Sequence, residues 1–571
     1  MDNYPSLINY KFTIFVFLIN NDKEKQMNKF TKLVVAIAFI AIIAGCSTPQ
    51  QALLPGASKA PYLYGEQTKQ SRIILEAELI FNNLTATQLK PGVSKKMINQ
   101  INHPTLRNLA TELYNNTYKP GLRLASYEAY LSPKALGRKY RIGDGFSKYE
   151  GITGVVLEAG LQPVFVGTTH GERISLVVPN WTRRAPEGIK PTEDPAGWGL
   201  HSKEYALQEG INLINIEQEG LVYVRYYTDD EPINHQPIEV HFPTGIENGY
   251  FDVTRGDTNE TFNKLLEDAV SPILDMRGKH IQVAFPVERL KEHTWGKGVE
   301  LVNNFDSIVA LQYRFIGWEK EQVIPKNHIL ARVNYHYYMF RDGDGVAYLD
   351  NSIHLVADPA STIKGDPCWG FSHELGHVLQ IRPQITWSGM TEVSNNIFTL
   401  YSTTMLGNKS RLSAEERYKT AREEILDRGI SYLGSSSEGD ANQYGGGGTT
   451  DVFHRLVPFW QLHLYFTDQG YPEFYADLMI AMRNQPPLSG RNRNEGWRDM
   501  LEFTRLASKI GKTDLTEFFE RWGFYYVGTV KGNDYGNYTY HITQEAIDKV
   551  KKEIADMNLP KPKKDITLYE D

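Results

Sequence analysis

Two histidines four residues apart, with an acid between them, are the strongest chemical signal in the sequence. They are His373 and His377, in the run Trp369-Gly370-Phe371-Ser372-His373-Glu374-Leu375-Gly376-His377. Residues four apart project from one face of a helix, so both imidazoles can bind the same tetrahedral zinc ion. Glu374, next to the first histidine, has the position of a general base that activates water at such a metal.

A catalytic zinc site needs a third protein ligand and an open coordination position. Glu392 follows His377 by fifteen residues and opens an apolar-periodic stretch (Val393, Ile397, Leu400) that predicts a second helix. We interpret Glu392 as the third ligand; an acid that merely favours a helix N-terminus is the alternative. Asn396, one turn further on the same face, is predicted to hydrogen-bond the distal nitrogen of a zinc histidine.

A hydrogen-bond donor is expected opposite Glu374, where negative charge develops in the transition state. The sequence offers four candidates and does not choose among them: Tyr401, Tyr444, His454 and His463. Cys368 is expected to pack near the metal helix without binding the metal, because the ligand set is complete without it.

The periodicity of the chain indicates the elements that hold these residues. Residues 259–535 mix helical periodicity with a few strands and form the predicted catalytic domain. Residues 136–258 contain short β-branched and aromatic runs separated by turns, which predict a β-sandwich accessory domain. Residues 70–135 are predicted to form a small helical region. Residues 536–571 are predicted to form a charged helical tail with a solvated face.

The N-terminal segment has the pattern of an export signal. Residues 27–46 combine Lys29 and Lys32 with an apolar run from Leu33 to Ala44 and end at Cys46. That run is shorter than the roughly 20 apolar residues of a spanning helix. We therefore predict a leader over residues 1–46 that starts at Met27, lipidation at Cys46, and a tether over residues 47–69.

The predicted address is thus the cell envelope, through a lipid anchor, most simply in the outer membrane; surface exposure is left open. Two cysteines in 571 residues exclude a disulfide-stapled framework. A net charge of −7 (61 basic against 68 acidic residues) argues against a nucleic-acid binder. Nothing in the sequence indicates an obligate protein partner.

Together these motifs resemble the enhancin-like, mucin-active zinc peptidases of family M60. The resemblance rests on the run 368–377 and on Glu392-Val393-Ser394-Asn395-Asn396-Ile397. It extends to residues 334–345, to Asn180-Trp181 and to residues 195–200, and spans about residues 140–530. It implies one zinc ion held by His373, His377 and Glu392 in the gluzincin manner, with Glu374 catalytic.

The resemblance also implies an endopeptidase that acts on glycoproteins, often O-glycosylated and mucin-type, with a β-sandwich before the catalytic domain. The expected fold is therefore multidomain: a small helical N-terminal region, a β-sandwich, and a mainly α-helical zinc metallopeptidase domain of gluzincin type. Two other functions remain open. One is a glycan-binding surface lipoprotein with a catalytically weak site, and the other is an exopeptidase that trims free peptides.

Overall fold

The structure is a computed structural model that describes residues 60–433 and 451–571, with side chains described from residue 69 onward. The predicted leader, its lipidation site Cys46, most of the predicted tether and Tyr444 lie outside the described residues. Residues Gln70–Asp571 group into one structural unit.

The predicted N-terminal helical region contains three helices, α1 (Ala60–Ile80), α2 (Lys95–Asn99) and α3 (Pro104–Tyr114). Within residues 70–114, apolar side chains spaced by three or four positions meet in one small core that includes Ile73, Ala77, Leu106 and Leu109. Phe165, from a strand of the next region, completes this core. The helices therefore pack on the β-region instead of standing apart from it.

Residues 124–247 form two antiparallel sheets and one short parallel pair of strands, with one short α-helix, α4 (Pro133–Tyr140). The strands are β1 (Leu124–Tyr127), β2 (Tyr130–Leu131), β3 (Gly151–Leu157), β4 (Gly160–Val166), β5 (Ile174–Pro179), β6 (Ser202–Leu207), β7 (Gly210–Ile216), β8 (Gly220–Arg225), β9 (Tyr227–Thr228), β10 (Ile238–His241) and β11 (Ile246–Glu247). One sheet has the order β1-β10-β4-β7 and the other β11-β3-β8-β5-β6, while β2 pairs with β9.

The two larger sheets share one hydrophobic core. Val155 and Val222 of the five-stranded sheet and Val164 and Val240 of the four-stranded sheet are all fully or almost fully buried in it. Alternate residues of each strand point to the same side, so two such faces exclude water from the space between them.

A six-stranded mixed sheet opens the predicted catalytic region. Its strands are β12 (Phe251–Asp252), β13 (Ile273–Arg277), β14 (Ile281–Pro286), β15 (Ile329–Asn334), β16 (Met339–Asp342) and β17 (Gly345–Leu349), in the order β12-β13-β14-β15-β17-β16. The helices α5 (Asn259–Asp268), α6 (Val287–His293), α7 (Gly298–Phe315) and α8 (Trp318–Glu321) connect them. Strands such as β15 are buried along their whole length, so they lack the alternation that identifies a half-exposed strand.

The remainder of this region is helical. Its helices are α9 (His354–Ala357), α10 (Pro359–Thr362), α11 (Gly365–Leu379), α12 (Thr391–Met405), α13 (Arg411–Ala414), α14 (Arg417–Ala421), α15 (Val452–Asp468), α16 (Phe474–Arg483), α17 (Gly496–Gly511) and α18 (Thr516–Arg521). In the described residues, no helix is both long and apolar enough to cross a membrane.

The C-terminal segment differs from the predicted solvated tail. A hairpin of β18 (Gly528–Asn533) and β19 (Asn537–Ile542) crosses the predicted boundary at residue 535, and α19 (Gln544–Ala555) follows. The helix buries Ile547, Val550 and Ile554. The Asp571 carboxylate accepts hydrogen bonds from Trp460 Nε1 (2.7 Å) and from the Tyr418 hydroxyl (2.9 Å). The apolar stripe at helical spacing outweighs the surrounding charges, so this segment is part of the core.

Candidate metal centre

Two helices, α11 and α12, carry the predicted zinc ligands. Helix α11 begins at Gly365, whose N–H donates to Asn408 Oδ1 at 2.9 Å, and has Asp366 in its first turn, where the helix dipole favours an acid. Its apolar face, including Phe371 and Leu375, is fully buried. The half-buried His373, Glu374 and His377 are on the rest of its surface.

The side chains of His373, His377 and Glu392 converge. One ligand atom from each lies within 4.8 Å of the other two. Glu392 Oε2 is 3.2 Å from His373 Nε2 and 3.3 Å from His377 Nε2, and the two imidazole rings are nearly perpendicular. Two imidazole nitrogens and one carboxylate oxygen, with room for one further ligand, are the donor set that catalytic zinc takes. The residues therefore fit the ion.

The electrostatics of the three side chains are coupled. Burial alone would lower the pKa of His373, but Glu392 and Glu374 outweigh it and raise this pKa to about 9. Burial would likewise raise the pKa of Glu392, but the two histidines hold it well below its usual range. The charges of the ligands themselves thus hold the set together, and a binding cation displaces a proton from it.

Amide side chains position both histidines. Asn396 Oδ1 is 2.8 Å from His373 Nδ1, and its Nδ2 donates to the Glu392 carbonyl at 2.8 Å. Gln380 Oε1 is 3.2 Å from His377 Nδ1, and its Nε2 donates to the Thr391 carbonyl at 2.7 Å. Such contacts fix which ring nitrogen faces the metal.

Sequence reasoning missed Gln380, although a signal was available. Gln380 lies three residues after His377, at the C-terminal end of α11. Residues three apart are neighbours on a helix surface, so this spacing was the signal. Sequence reasoning also missed Asn395, whose side-chain amide lies within 3.1 Å of ring nitrogens of both histidines.

The turn of the β18–β19 hairpin reaches the metal site. Asp534 Oδ2 accepts hydrogen bonds from the Gly389 N–H (2.7 Å) and the Thr391 hydroxyl (2.9 Å), and so caps the start of α12. The Tyr535 hydroxyl donates to Glu392 Oε1 at 2.7 Å. Burial and the neighbouring Glu392 raise the pKa of Tyr535 well above its usual range, so the hydroxyl stays protonated. These residues lie more than 140 positions after Glu392, and no sequence pattern connects them to it.

Of the candidates for the transition-state donor that the structure describes, Tyr401 and His463 lie away from the ligands. Tyr401 follows Glu392 by nine residues, or 900° of helical rotation, and so lies on the opposite face of α12. Its ring packs on Phe315 and His463. The prediction for Tyr401 is therefore wrong. His463 contacts Tyr401 and is stacked on Trp460, so it lies on the same side of α12, away from Glu392.

Neither His454 nor Cys368 belongs to the convergent ligand set. His454 is half-buried near the start of α15, beside Arg417 and Asp451, and burial lowers its pKa. Cys368 is fully buried in α11, and burial raises the pKa of its thiol to about 11.

Residues 245–523 match the family model described as Peptidase M60, enhancin and enhancin-like. The matched region contains the three convergent ligands and Glu374 and ends before the hairpin of Asp534 and Tyr535. No curated protein sequence matches the chain.

Solved structures share the fold. A metallopeptidase from Bacteroides thetaiotaomicron superposes with a TM-score of 0.74 at 23% identity, over 91% of this chain and 83% of that chain. A metallopeptidase in complex with Tn antigen gives a TM-score of 0.67 at 26% identity, over 80% and 81%. The catalytic domain of Clostridium perfringens ZmpC in complex with sialyl T antigen gives 0.55 at 19% identity, over 78% and 83%.

Proposed function

We propose that this protein is an endopeptidase for O-glycosylated, mucin-type glycoproteins. The proposal starts from the premise that the chain carries the enhancin-like M60 domain of a zinc metallopeptidase. The observation that carries the proposal is the complete set of two histidines, one glutamate and a neighbouring free glutamate on α11 and α12. The substrate class is supported by two similar structures, one solved with Tn antigen and one with sialyl T antigen.

In this mechanism, zinc supplies a Lewis acid that lowers the pKa of water and polarises the peptide carbonyl. Glu374 acts as the general base that takes a proton from the attacking water and then passes it to the leaving amine. The position of the half-buried Glu374 directly after the ligand His373 on α11 supports this role. Tyr535 holds Glu392 through its hydroxyl, and Asn396 and Gln380 hold the two imidazoles.

An edge strand beside the metal helix offers a place for the substrate backbone. Strand β16 lies at the end of its sheet, paired on one side with β17. A β-carbon on Gly370 of α11 would lie 2.7 Å from Met339 of β16, so the strand passes close to the metal helix. An extended peptide that pairs with β16 would therefore run past the zinc ligands, which suits cleavage within a chain.

The proposed location follows from the leader. Lipidation at Cys46 would hold the enzyme at the cell envelope, on a tether formed by the residues between Cys46 and α1, where secreted glycoproteins are within reach. Radiolabelled lipid incorporation into the wild type but not into a Cys46→Ala variant is the expected result. Lipid incorporation into both proteins would contradict it.

The first experiment compares one mucin with the same mucin stripped of its O-glycans, each with and without a zinc chelator. We expect cleavage of the glycosylated form alone and its loss with the chelator. Equal cleavage of both forms would refute the glycan requirement. No cleavage of either form by zinc-loaded protein would refute the mucin-type substrate.

A further inference from the structure

Two arginines lie close to the end of the metal helix, on the side of His377. Arg382 follows the end of α11, and its Nη2 donates to Gln380 Oε1 (3.0 Å) and to the His377 carbonyl (3.3 Å). Arg341 comes from the edge strand β16. The Arg382 N–H donates to the Arg141 carbonyl at 2.8 Å, two residues before the Gly143 that packs against Arg341.

A glycine loop holds Arg341 against the metal helix. A β-carbon on Gly143 would lie 2.7 Å from Arg341 Nη2, and one on Gly145 would lie 2.9 Å from its Nε. The Gly143 N–H donates to the Val378 carbonyl at 3.0 Å, directly after His377. Any larger residue in this loop would displace the guanidinium, so the backbone itself shapes the place where Arg341 lies.

The positive charge of this pair is incompletely compensated. Among the described residues, Arg382 has no carboxylate within ion-pair distance, and Arg341 has only Asp144 at 3.5 Å, on a side chain that is 53% exposed. The nearby carboxylates are engaged elsewhere, Glu392 in the ligand set and Asp534 at the start of α12. The Nε atoms of both arginines are buried without a hydrogen-bond partner. Burying donors of this kind costs free energy unless an acceptor arrives.

The strand geometry indicates where such an acceptor would come from. Side chains alternate along β16, so Arg341 is on the same face as Met339, which contacts Gly370 of the metal helix. A peptide paired with β16 would direct every second side chain to this face, and cross-strand neighbours come within about 5 Å of each other. A side-chain carboxylate there would reach a guanidinium.

We propose that Arg341 and Arg382 form an anion-binding subsite for a carboxylate of the substrate, supplied by an aspartate or glutamate side chain near the scissile bond. This rests on the proposed peptidase function and deepens it, since it adds an acidic residue of the peptide to the substrate preference. The same chemistry would accept the carboxylate of an acidic sugar, which is the rival source.

The test uses one glycopeptide series that carries either glutamate or glutamine at each position within three residues of the cleaved bond. Each peptide is made with a neutral sugar and with its sialylated form. For the wild type we expect kcat/KM to be roughly tenfold higher with glutamate at one position, through KM, and to lose this advantage at high salt.

Arg341→Gln should remove the preference for glutamate while leaving the zinc content unchanged, and Arg341→Lys should retain part of it. Arg138→Gln is the matched control, since Arg138 on α4 is exposed and pairs with Asp229. A glutamate preference that survives Arg341→Gln would overturn the subsite. A preference for the sialylated sugar alone, lost in Arg341→Gln, would overturn the peptide source.

A peptide-binding measurement distinguishes failure of the proposed subsite from failure of the proposed peptidase function. The zinc-loaded Glu374→Gln variant is titrated with the same peptides, labelled with a fluorophore, and anisotropy is measured. Tighter binding of the glutamate peptide, abolished by adding Arg341→Gln, supports the subsite even where the wild type cleaves nothing. Equal or absent binding of the two peptides overturns it.

Discussion

Gly376 lies in direct contact with the backbone of Asn395. A β-carbon on Gly376 would be 2.6 Å from the Asn395 carbonyl oxygen and 3.1 Å from its α-carbon. Gly376 stands between Glu374 and His377 on α11, and Asn395 stands beside Asn396 on α12. The absence of a side chain on Gly376 therefore sets how closely the two ligand-bearing helices approach.

Gly376→Ala is expected to separate these helices, because the contacted atoms are backbone and cannot rotate away. We expect a loss of about 1–3 kcal/mol in the free energy of unfolding and weaker zinc binding, from denaturant titration and chelator competition. Gly370→Ala in the same helix is the control, since its methyl group would meet only the flexible end of Met339. Equal zinc affinity in the two variants would contradict this account.

Glu374→Gln should remove the proton acceptor while leaving all three ligands in place. We expect peptide hydrolysis to fall by about 10²–10⁴-fold, with one zinc ion still bound per chain. Hydrolysis and metal content are measured on the same preparation, with Glu78→Gln on the exposed side of α1 as the control. Hydrolysis close to the wild-type rate would exclude Glu374 as the general base.

Removal of the metal should lower stability without unfolding the protein. The ligands join α11 to α12, and their mutual attraction persists without the cation, as the raised pKa of His373 and the lowered pKa of Glu392 indicate. At a free zinc concentration 100 times Kd, binding adds about 2.7 kcal/mol. We expect the chelator to reduce Tm reversibly in calorimetry, and a Tm unchanged by added zinc would argue against metal binding.

Tyr535→Phe should loosen the glutamate ligand, because the 2.7 Å hydrogen bond to Glu392 Oε1 is lost. Loss of an outer contact to a metal ligand typically weakens affinity 10- to 100-fold. Zinc affinity is measured by competition with a chromophoric chelator, and Tyr114→Phe on α3 serves as the control. Only the hydroxyl end of Tyr535 reaches the buried Glu392, and the residue as a whole is 67% exposed, so we expect little change in stability. Unaltered zinc affinity and activity would leave Tyr535 without a role at the site.

Acidification should weaken the attachment of the N-terminal helices through His241. Its Nδ1 is 2.7 Å from the Thr85 carbonyl, its Nε2 hydrogen-bonds the Tyr118 hydroxyl, and burial, with a smaller contribution from Arg123, lowers its pKa to about 4. The unfolded state, with a pKa near 6.5, binds more protons between pH 6.5 and 4. The contribution of His241 is therefore fully present above pH 6.5 and decreases as the pH falls towards 4.

Between pH 7 and pH 5 the expected loss is about 2 kcal/mol in the free energy of unfolding. Urea unfolding at pH 7 and pH 5 measures it, and His241→Gln should reduce the difference between the two pH values. His170→Gln, in an exposed loop, should not. An identical difference in the wild type and His241→Gln would exclude His241 as its source.

The sequence was sufficient to predict the local part of the metal site, because His373, Glu374 and His377 lie on one helix whose period sets their relative positions. Glu392 was predicted because a catalytic zinc site needs a third protein ligand, and the side chains of all three ligands converge in the structure. Tyr401 failed for an equally local reason, because nine residues of helix rotate its side chain away from Glu392. The buried mixed sheet escaped prediction because strands covered on both faces carry no alternation.

What the sequence by itself determined was therefore chemistry within one or two helical turns, where the period of 3.6 residues fixes which side chains share a face. Only the tertiary structure decided that Tyr535 holds Glu392, that Asp534 caps α12, and that Arg341 lies near the end of α11, as Arg382 does. These pairs join segments far apart in the chain, and the burial of apolar surface that packs the segments together is non-directional. No pattern along the sequence encodes which polar side chains then meet.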